Sequence, residues 1–380
     1  MRVVFVDLHG SFLGAQRVLV DFLEAAPHTL APAVVFAGEE RMLRELTRIG
    51  VPQTAVPMPA AIARATRGRT PGPAGMAATV GYAGSVRRAV CGFAPHLVVA
   101  NTPKAYVMAA VALPRGVPLT IRLHDILRPA PHLRFLAHLL AHRCRSVSCV
   151  SEAVRRSALD LGFPPDKVVT LHNGAPTLAA PTRSNPVPGP TIGVVAQLEP
   201  WKGQDLALAA FAEGLGGTPG SRLRIIGRPV KSTLFPRLLE ARARALGIAD
   251  RVTFETDLER REDIYSGLSA LVHLPRQPEP FGMVLVEAMA FGVPVVAAAD
   301  GGAPEIIQHE FSGLLVPPGD TGAAALALRR LTYEPGLAAL LVRNALDTVN
   351  NRLSSKNHAS ALGAWIIQHA APTRAQRPHT

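Results

Sequence analysis

Cysteine, aromatic residues and long apolar runs are all scarce in this sequence, and each shortage excludes a class of protein. Three cysteines among 380 residues are an odd and sparse set, which speaks against a disulfide framework or a zinc site and indicates a reducing compartment. Aromatic residues account for 5%, which gives little support for stacking on nucleic-acid bases. No apolar run approaches the roughly 18 residues of a membrane span, and the first residues lack the apolar core and cleavage site of a signal peptide. We therefore expect a cytoplasmic protein that does not bind nucleic acid.

Three phosphate-binding motifs are absent as well. The sequence has no GxxxxGK[ST] loop, and no GxGxxG follows any apolar run. It also has no Asp-x-Asp, the usual carboxylate pair that holds a metal on a nucleoside diphosphate. We therefore expect neither a metal nor another cofactor.

Near-continuous apolar runs alternate with helical patterns along the whole chain. Such runs are typical of parallel sheets covered by helices on both faces, and 380 residues are too many for one ordinary core. We expect an α/β protein of two doubly wound, Rossmann-like domains that face each other across a cleft. The predicted strands are 2–7, 33–38, 96–101, 119–125, 146–151 and 167–174 in the first half and 191–197, 223–228, 251–256, 270–275 and 293–299 in the second.

A proline-rich stretch marks the boundary between the two predicted domains. Residues 175–190 contain five prolines and no hydrophobic period, which is typical of a linker. We expect an N-terminal domain over 1–175, a linker over 176–190 and a C-terminal domain over 191–349. Residues 350–380 would form a helix, which could pack back on the N-terminal domain, and a frayed tail.

The basic residues are concentrated in the first half of the chain. Residues 1–180 hold 20 Lys and Arg against 10 Asp and Glu, whereas residues 181–380 hold 20 against 18. Between Ile62 and Ser151 there are 12 basic residues and one acid, Asp125. Such a field attracts anions, including phosphorylated acceptors and acidic lipids, although a merely solvated basic face is the plainer alternative. If the face is functional, we expect peripheral binding at the inner leaflet, with residues 63–75 as the mobile segment.

The densest motif runs from Glu279 to Glu305. A loop after the predicted strand 270–275 carries Glu279, and a helical pattern resumes near Met283 with Glu287 about one turn inside it. The free amides at the start of that helix would suit a phosphate, and they belong to Phe281, Gly282, Met283 and Val284. The two carboxylates would suit the hydroxyls of a sugar or ribose beside it. A capping glutamate and a solvated one are the structural alternative.

Three further candidates follow other predicted strands. Lys202 precedes Gly203 at the start of a helix, where a lysine can reach a diphosphate. Gly14, in the loop after the first strand, would let the backbone approach a ligand closely. His124 ends a strand and would point toward the cleft. A surface lysine and a structural histidine are the alternatives.

Taken together, these motifs resemble the retaining, nucleotide-sugar-dependent glycosyltransferases of family 4, which have the GT-B fold. The resemblance covers nearly the whole chain and is strongest from Thr191 to Asp320. Its signature is Glu-x7-Glu, met here by Glu279 and Glu287. The family also has sequence motifs comparable to WKGQDL (201–206), GGAPEI (301–306), GLLVPPGD (313–320), VSEAVRR (150–156) and LHNG (171–174).

The resemblance implies a role for each of these positions. Glu287 would bind the donor ribose, and Glu279 would contact the transferred sugar. Lys202 would neutralise the diphosphate. It further implies that the backbone of 281–284 holds the sugar hydroxyls and distal phosphate, that His124 touches the sugar, and that the Leu13–Gly14 loop closes over the phosphates and borders the acceptor. The implied reaction transfers a sugar to a sugar or lipid-linked acceptor with retention, and the leaving diphosphate takes the acceptor proton.

One position departs from the family. Many members carry Arg where this chain has Gln197, and Gln brings no charge. Either Arg228 or Arg276 compensates, or diphosphate binding is weaker, or this subfamily uses Gln. The alternatives to a transferase are a nucleotide-sugar 2-epimerase of the same fold, a non-catalytic nucleotide-sugar binder and a basic nucleic-acid-binding protein. The EPFG…E series argues against the first, Gln197 is the support for the second, and the third has charge but no motif.

Overall fold

The computed structural model describes residues 1–60, 62, 73–176, 189–229, 234–256, 258 and 260–370. The chain divides into two compact units. The first contains Met1–Asn173 together with the segment that begins at Ser355, and the second is Gly174–Ser354. Residues 63–72 of the segment expected to be mobile, residues 177–188 of the expected linker and residues 371–380 of the expected frayed tail lie outside the described residues.

The first unit is built on a seven-stranded parallel sheet of order β3-β2-β1-β4-β5-β6-β7. The chain adds β2 and β3 on one side of β1 and then adds β4 to β7 on its other side, as in doubly wound folds. Its strands are β1 (Arg2–Asp7), β2 (Ala31–Phe36), β3 (Gln53–Ala55), β4 (Leu97–Ala100), β5 (Leu119–Leu123), β6 (Val147–Cys149) and β7 (Val168–Thr170).

The second unit has a six-stranded parallel sheet of order β10-β9-β8-β11-β12-β13. Here the reversal falls between β8 and β11, which makes those two strands the place where a ligand is expected. Its strands are β8 (Thr191–Val195), β9 (Arg222–Ile226), β10 (Val252–Glu255), β11 (Ala270–His273), β12 (Val295–Ala298) and β13 (Leu314–Val316).

Helices connect the strands in both units, and capping side chains mark many of their starts. Ser151 accepts a hydrogen bond from the Val154 amide at 3.1 Å, and Asp320 accepts one from Ala323 at 2.8 Å, which satisfies amides that a helix start leaves open. The helices are α1 (Gly14–Glu24), α2 (Glu40–Arg48), α3 (Pro73–Gly92), α4 (Pro103–Ala112), α5 (Pro131–Ala141), α6 (Glu152–Asp160), α7 (Gln204–Leu215), α8 (Leu234–Ala245), α9 (Arg261–Tyr265), α10 (Met283–Ala290), α11 (Ala303–Ile306), α12 (Thr321–Tyr333), α13 (Leu337–Asn351) and α14 (Ser355–Ala370). None of the helices in this described part combines the length and apolar character that a bilayer crossing needs.

The last helix, α14, belongs to the first unit. Leu362 and Ile366 are buried in the same core as Val3, Phe5 and Leu97. The Trp365 indole donates to Ser146 Oγ at 3.0 Å. The first unit is therefore assembled from both ends of the described chain.

The eleven predicted strands are all present, and the two that sequence reasoning missed are edge strands. The missed β3, Gln53–Ala55, is three residues long and partly exposed, so it has no apolar run to detect. The missed β13, Leu314–Val316, is as short and lies inside the GLLVPPGD motif. All three cysteines are free thiols.

Candidate active site

A polar cluster of the second unit is centred on Glu279. Lys202 Nζ lies 2.7 Å from Glu279 Oε2, and His273 Nε2 lies 3.2 Å from the same oxygen. The side chains of Lys202 and Glu279 are 13% and 12% exposed. His273 ends β11 and Lys202 follows β8, so the cluster lies at the carboxyl ends of the two strands where the sheet order reverses.

Glu279 is held as a carboxylate in this cluster. Burial alone raises its pKa, but the Lys202 charge and the His273 hydrogen bond outweigh burial and lower the pKa to about 2. The group is therefore ionised at neutral pH. It is a weak base at that pKa and a poor choice for accepting a proton during catalysis.

Backbone geometry fixes the position of Lys202. Residues Pro200–Lys202 form a 3-10 turn, and Gly203 then adopts a left-handed conformation with φ 68°. A Cβ at Gly203 would lie 1.8 Å from the Leu274 carbonyl oxygen, so the approach of this turn to the end of β11 requires glycine. The Lys202 ammonium also lies 3.9 Å from the centre of the Trp201 ring, a cation–π contact.

The glycine pair after β12 holds the Glu279 loop. The Gly302 amide donates to the Glu279 carbonyl at 2.8 Å. A Cβ at Gly301 would lie 2.1 Å from that carbonyl oxygen, and one at Gly302 would lie 2.7 Å from Phe281 Cα. The pair therefore lets two loops pack backbone against backbone, which places Glu279.

The start of α10 lies directly after Glu279. Gly282 is its N-cap with φ 100°, and no side chain of the described residues caps the helix. The first backbone bond of the turn runs from the Leu285 amide to the Gly282 carbonyl at 2.9 Å, so the amides of Gly282, Met283 and Val284 precede the helical ladder. The preceding residue, Phe281, is buried. This end of the helix can bind an anion.

Glu287 lies on the second turn of α10 and is 5% exposed. Arg261 Nε is 3.0 Å from its Oε1, and the Tyr265 hydroxyl donates to its Oε2 at 2.7 Å. The Tyr265 ring stacks on Phe291 with centroids 5.2 Å apart. Helix α9 therefore orients this carboxylate, which keeps further lone pairs for a hydroxyl donor.

The two arginines suggested as substitutes for a charge at Gln197 have other partners. Arg276 forms a short ion pair with Asp205, so its charge is already matched. Arg228 donates to the Thr256 carbonyl at 2.9 Å. Gln197 itself follows β8, and its backbone carbonyl accepts from the Gln204 side chain at 2.7 Å. Compensation by Arg276 is therefore not supported by its contacts.

The first unit has its own polar cluster at the reversal of its sheet. Asp7 ends β1, and its buried carboxylate accepts from Gln16 Nε2 and from Asn101 Nδ2 at 2.8 Å. Asn101 Oδ1 is 3.0 Å from His124 Nε2, and Gln16 Oε1 accepts from the Leu13 amide at 3.0 Å. The predicted residues Leu13 and His124 are thus linked to one carboxylate through Gln16 and Asn101, and Gly14 follows Leu13 as the first residue of α1.

Burial dominates the chemistry of His124. It lowers the pKa of the imidazole well below its usual value, and the charges of Arg122 and His358 lower it further. The ring is therefore neutral at physiological pH.

Sequence reasoning missed the partners of the residues that it found. His273, Arg261 and Tyr265 orient the two glutamates, and Asp7 and Asn101 form the cluster beside His124. His273 and Asp7 are the last residues of strands β11 and β1, so a search of strand ends for polar side chains could have found them. Arg261 and Tyr265 carry no comparable signal, because α9 is only five residues long.

Comparison with known proteins supports one family. The family described as Glycosyltransferase Family 4 matches residues 13–177, and the family described as Glycosyl transferases group 1 matches residues 182–347. Among solved structures, Anabaena HepE in complex with UDP and glucose aligns with a TM-score of 0.81 at 22% identity, covering 97% of this chain and 100% of HepE. A glycosyltransferase from Rickettsia africae aligns with a TM-score of 0.80 at 15% identity, covering 98% and 99%. At these identities the likeness concerns the fold.

Curated relatives agree over shorter stretches. The D-inositol 3-phosphate glycosyltransferase of Acidothermus cellulolyticus is 33% identical over 260 residues, which is 61% of this chain and 58% of that protein. The enzyme of the same name from Mycobacteroides abscessus is 38% identical over 195 residues, 50% of this chain and 42% of that protein. The matches thus span less than two thirds of these relatives.

Two doubly wound units of this kind, matched in succession by the two family descriptions, define a glycosyltransferase of the GT-B fold. The chain belongs to the family 4 glycosyltransferases, which confirms the family and the fold expected from the sequence.

Proposed function

We propose that this enzyme moves a sugar from a nucleoside-diphosphate-sugar to an acceptor hydroxyl, with retention of configuration and without a metal. The observation that carries the proposal is the Lys202–Glu279–His273 cluster directly before the start of α10. A largely buried cation and a helix start without a side-chain cap can together receive a diphosphate. The solved structure of HepE with UDP and glucose concerns a protein of the same fold and favours a UDP-sugar as the first donor to test.

Each site residue of the second unit then has one role. Lys202 and the amides from Gly282 to Val284 stabilise the charge that develops on the departing diphosphate. One such donor is typically worth about 3 kcal/mol in the transition state. Glu279, held ionised, accepts a hydrogen bond from a hydroxyl of the transferred sugar, and Glu287 accepts hydrogen bonds from the ribose hydroxyls.

In the proposed retention without a covalent intermediate, Glu279 is not the group that accepts the acceptor proton. Its pKa of about 2 makes it a weak base, so it does not take the acceptor proton. The leaving diphosphate oxygen takes that proton, and the acceptor attacks from the face that the diphosphate leaves. The protein then contributes position and electrostatic stabilisation.

We further propose that the acceptor is anionic. The basic surplus lies in the first half of the chain, where 20 Lys and Arg face 10 acids over residues 1–180. The two curated relatives act, by their names, on D-inositol 3-phosphate. A phosphorylated acceptor, including one linked to lipid at the inner leaflet, would be attracted by this charge. Binding to anionic vesicles should weaken steeply with salt, and equal binding to neutral and anionic vesicles would refute the membrane part of the proposal.

A thermal-shift screen tests the donor site. The full chain is heated with UDP-, GDP- and ADP-sugars in the presence of EDTA, and a donor that binds the folded state raises Tm. Glu287→Ala should abolish the shift. Glu334→Ala is the matched control, because it removes an exposed carboxylate from the same unit and should keep the shift.

The products decide between transfer and its alternatives. Transfer to an added acceptor supports the proposal, whereas release of a free sugar epimer without acceptor identifies an epimerase. A donor that binds without any turnover identifies a non-catalytic binder. Absence of a shift with every donor refutes the proposed donor site.

A further inference from the structure

A chain of hydrogen bonds in the first unit joins the loop before α1 to His124 through one buried carboxylate. Asp7 is 1% exposed, as is Asn101, and Gln16 is 4% exposed. The His9 amide also donates to Asp7 Oδ1 at 3.0 Å. These residues lie at the carboxyl ends of β1 and β4, where the sheet order reverses and where open α/β sheets bind ligands.

The chemistry of the carboxylate fixes the direction of every bond in this chain. The Asp7 oxygens accept hydrogen bonds from the His9 amide and from Gln16 Nε2, and Asn101 likewise turns its NH2 group toward Asp7, with Nδ2 at 2.8 Å. The Asn101 carbonyl oxygen then faces His124. Since that oxygen also only accepts, His124 Nε2 must carry the proton.

The position of the proton on Nε2 determines the state of the other ring nitrogen, Nδ1. A neutral imidazole with a proton on Nε2 has a lone pair on Nδ1. Within the described residues, His124 is hydrogen-bonded through Nε2 to Asn101, and no group bonds to its Nδ1. Arg122 on the same strand and His358 on α14 are the charged and titratable groups that lower the pKa of the ring, after burial, which supports a neutral ring.

The same carboxylate also sets the loop before α1. Gln16 turns its NH2 group to Asp7, at 2.9 Å from Oδ2 and 3.1 Å from Oδ1. Its carbonyl oxygen is thereby directed to the Leu13 amide at 3.0 Å. Asp7 thus orients both elements of this unit to which the family resemblance gives donor contacts, the Leu13–Gly14 loop and His124.

We propose that Asp7 is a positioning residue that, through Asn101, locks His124 as the Nε2–H tautomer, so that His124 Nδ1 can accept a hydrogen bond from a sugar hydroxyl of a substrate. The sugar contact rests on the proposed function, whereas the tautomer does not.

Nitrogen NMR of the histidine rings tests the tautomer directly. The full chain is labelled with ¹⁵N-histidine, and the His124 signals are identified by their loss in His124→Gln. We expect the wild-type ring to be neutral with its proton on Nε2. In Asp7→Asn, the new amide lets Asn101 turn over and offer its NH2 group to His124, so the Nε2–H tautomer should be lost.

A residue swap provides the rescue. In the double variant Asp7→Asn with Asn101→Asp, the carboxylate at 101 accepts from both neighbours and should restore the proton on Nε2. Asp7→Asn should lower kcat by about 10- to 100-fold with a smaller change in donor KM, because the sugar is misoriented, and the double variant should regain part of that loss. Thr120→Val is the matched control. It removes a buried hydroxyl that donates to the Val98 carbonyl on the same sheet and should change neither tautomer nor kcat.

The outcomes separate this inference from the proposed function. A wild-type ring with its proton on Nδ1, or with two protons, overturns the inference even if every variant misfolds. An Asp7→Asn protein that keeps the tautomer and kcat and loses only Tm also overturns it, because a purely structural role predicts that result. A correct tautomer in a protein that transfers no sugar would refute the proposed function and leave the role of Asp7 in fixing the ring intact.

Discussion

Replacing Glu279 with Gln removes one charge from the Lys202–Glu279–His273 cluster and keeps its shape. Lys202 would remain almost buried, at 13% exposure, without its counter-charge. Removing one partner of a buried pair is more costly than the pair itself is stabilising, because the remaining charge stays desolvated. We therefore expect Glu279→Gln to destabilise the second unit at neutral pH.

The pKa of Glu279 gives the size of the pH-dependent part of this destabilisation. Its folded pKa of about 2 lies below the 4.5 that is usual for a glutamate, so ionisation favours the folded state. The stabilisation is fully present above the unfolded pKa and is lost as pH falls through the folded one. A shift from 4.5 to 2 corresponds to about 3 kcal/mol at neutral pH, and to about 1 kcal/mol at about pH 3.

The assay uses tryptophan fluorescence, because the chain has two tryptophans, one in each unit. In a Trp365→Phe background, Trp201 alone reports unfolding of the second unit. Urea unfolding of the full chain is measured with and without Glu279→Gln, at neutral pH and at about pH 3. The difference in free energy of unfolding between the two proteins should shrink by about 2 kcal/mol on acidification. Titrating groups that lie away from Glu279 cancel in that difference.

Two results would refute this reasoning. If Glu279→Gln leaves the urea midpoint unchanged at neutral pH, the ion pair does not hold the loop. If the variant is destabilised by the same amount at both pH values, the loss comes from packing or geometry, and the carboxylate is not held ionised by its neighbours.

Three other changes have defined outcomes. Gly302→Ala should displace the Glu279 loop, because the new Cβ would lie 2.7 Å from Phe281 Cα, and should abolish the donor-induced Tm shift. The control Gly217→Ala has nothing within 4 Å of its Cβ and should keep that shift. Tyr265→Phe removes the donor to Glu287 Oε2 and should cost about 2 kcal/mol by urea unfolding and weaken donor binding in titration calorimetry; unchanged affinity would mean that Glu287 needs no orientation. Leu362→Ala should lower the free energy of unfolding of the first unit by about 3 kcal/mol, measured by Trp365 fluorescence in a Trp201→Phe background. An equal loss in the exposed control Ile367→Ala would contradict the role of α14.

The central strands could be predicted from the sequence because they are buried on both faces. β4 and β12 are buried along their whole length, so composition alone marks them. The edge strand β3 is half exposed and polar. Its pairing with β2 comes from the neighbouring backbone, which no local pattern records.

The site was predictable in part for a related reason. Glu279, Glu287 and Lys202 lie in motifs of fixed local spacing, which a sequence displays. The contact between Lys202 and Glu279 joins residues 77 positions apart, and the Asn101–Asp7 contact spans 94. Which polar residues meet depends on the order of strands in each sheet, and strand order is a property of the folded chain. The motif GGAPEI displays the glycine pair at 301 and 302 but not its role. The pair allows two backbones to approach each other and holds the Glu279 loop, which is a property of the folded chain.

Helix α14 has a consequence for synthesis on the ribosome. The second unit, Gly174–Ser354, is complete in sequence before this helix emerges, whereas the hydrophobic interior of the first unit still lacks Leu362 and Ile366. Part of the apolar interior of the first unit therefore stays uncovered until the very last helix has been synthesised. A premature stop just before Ser355 would leave the portion of the protein that was made first without this cover.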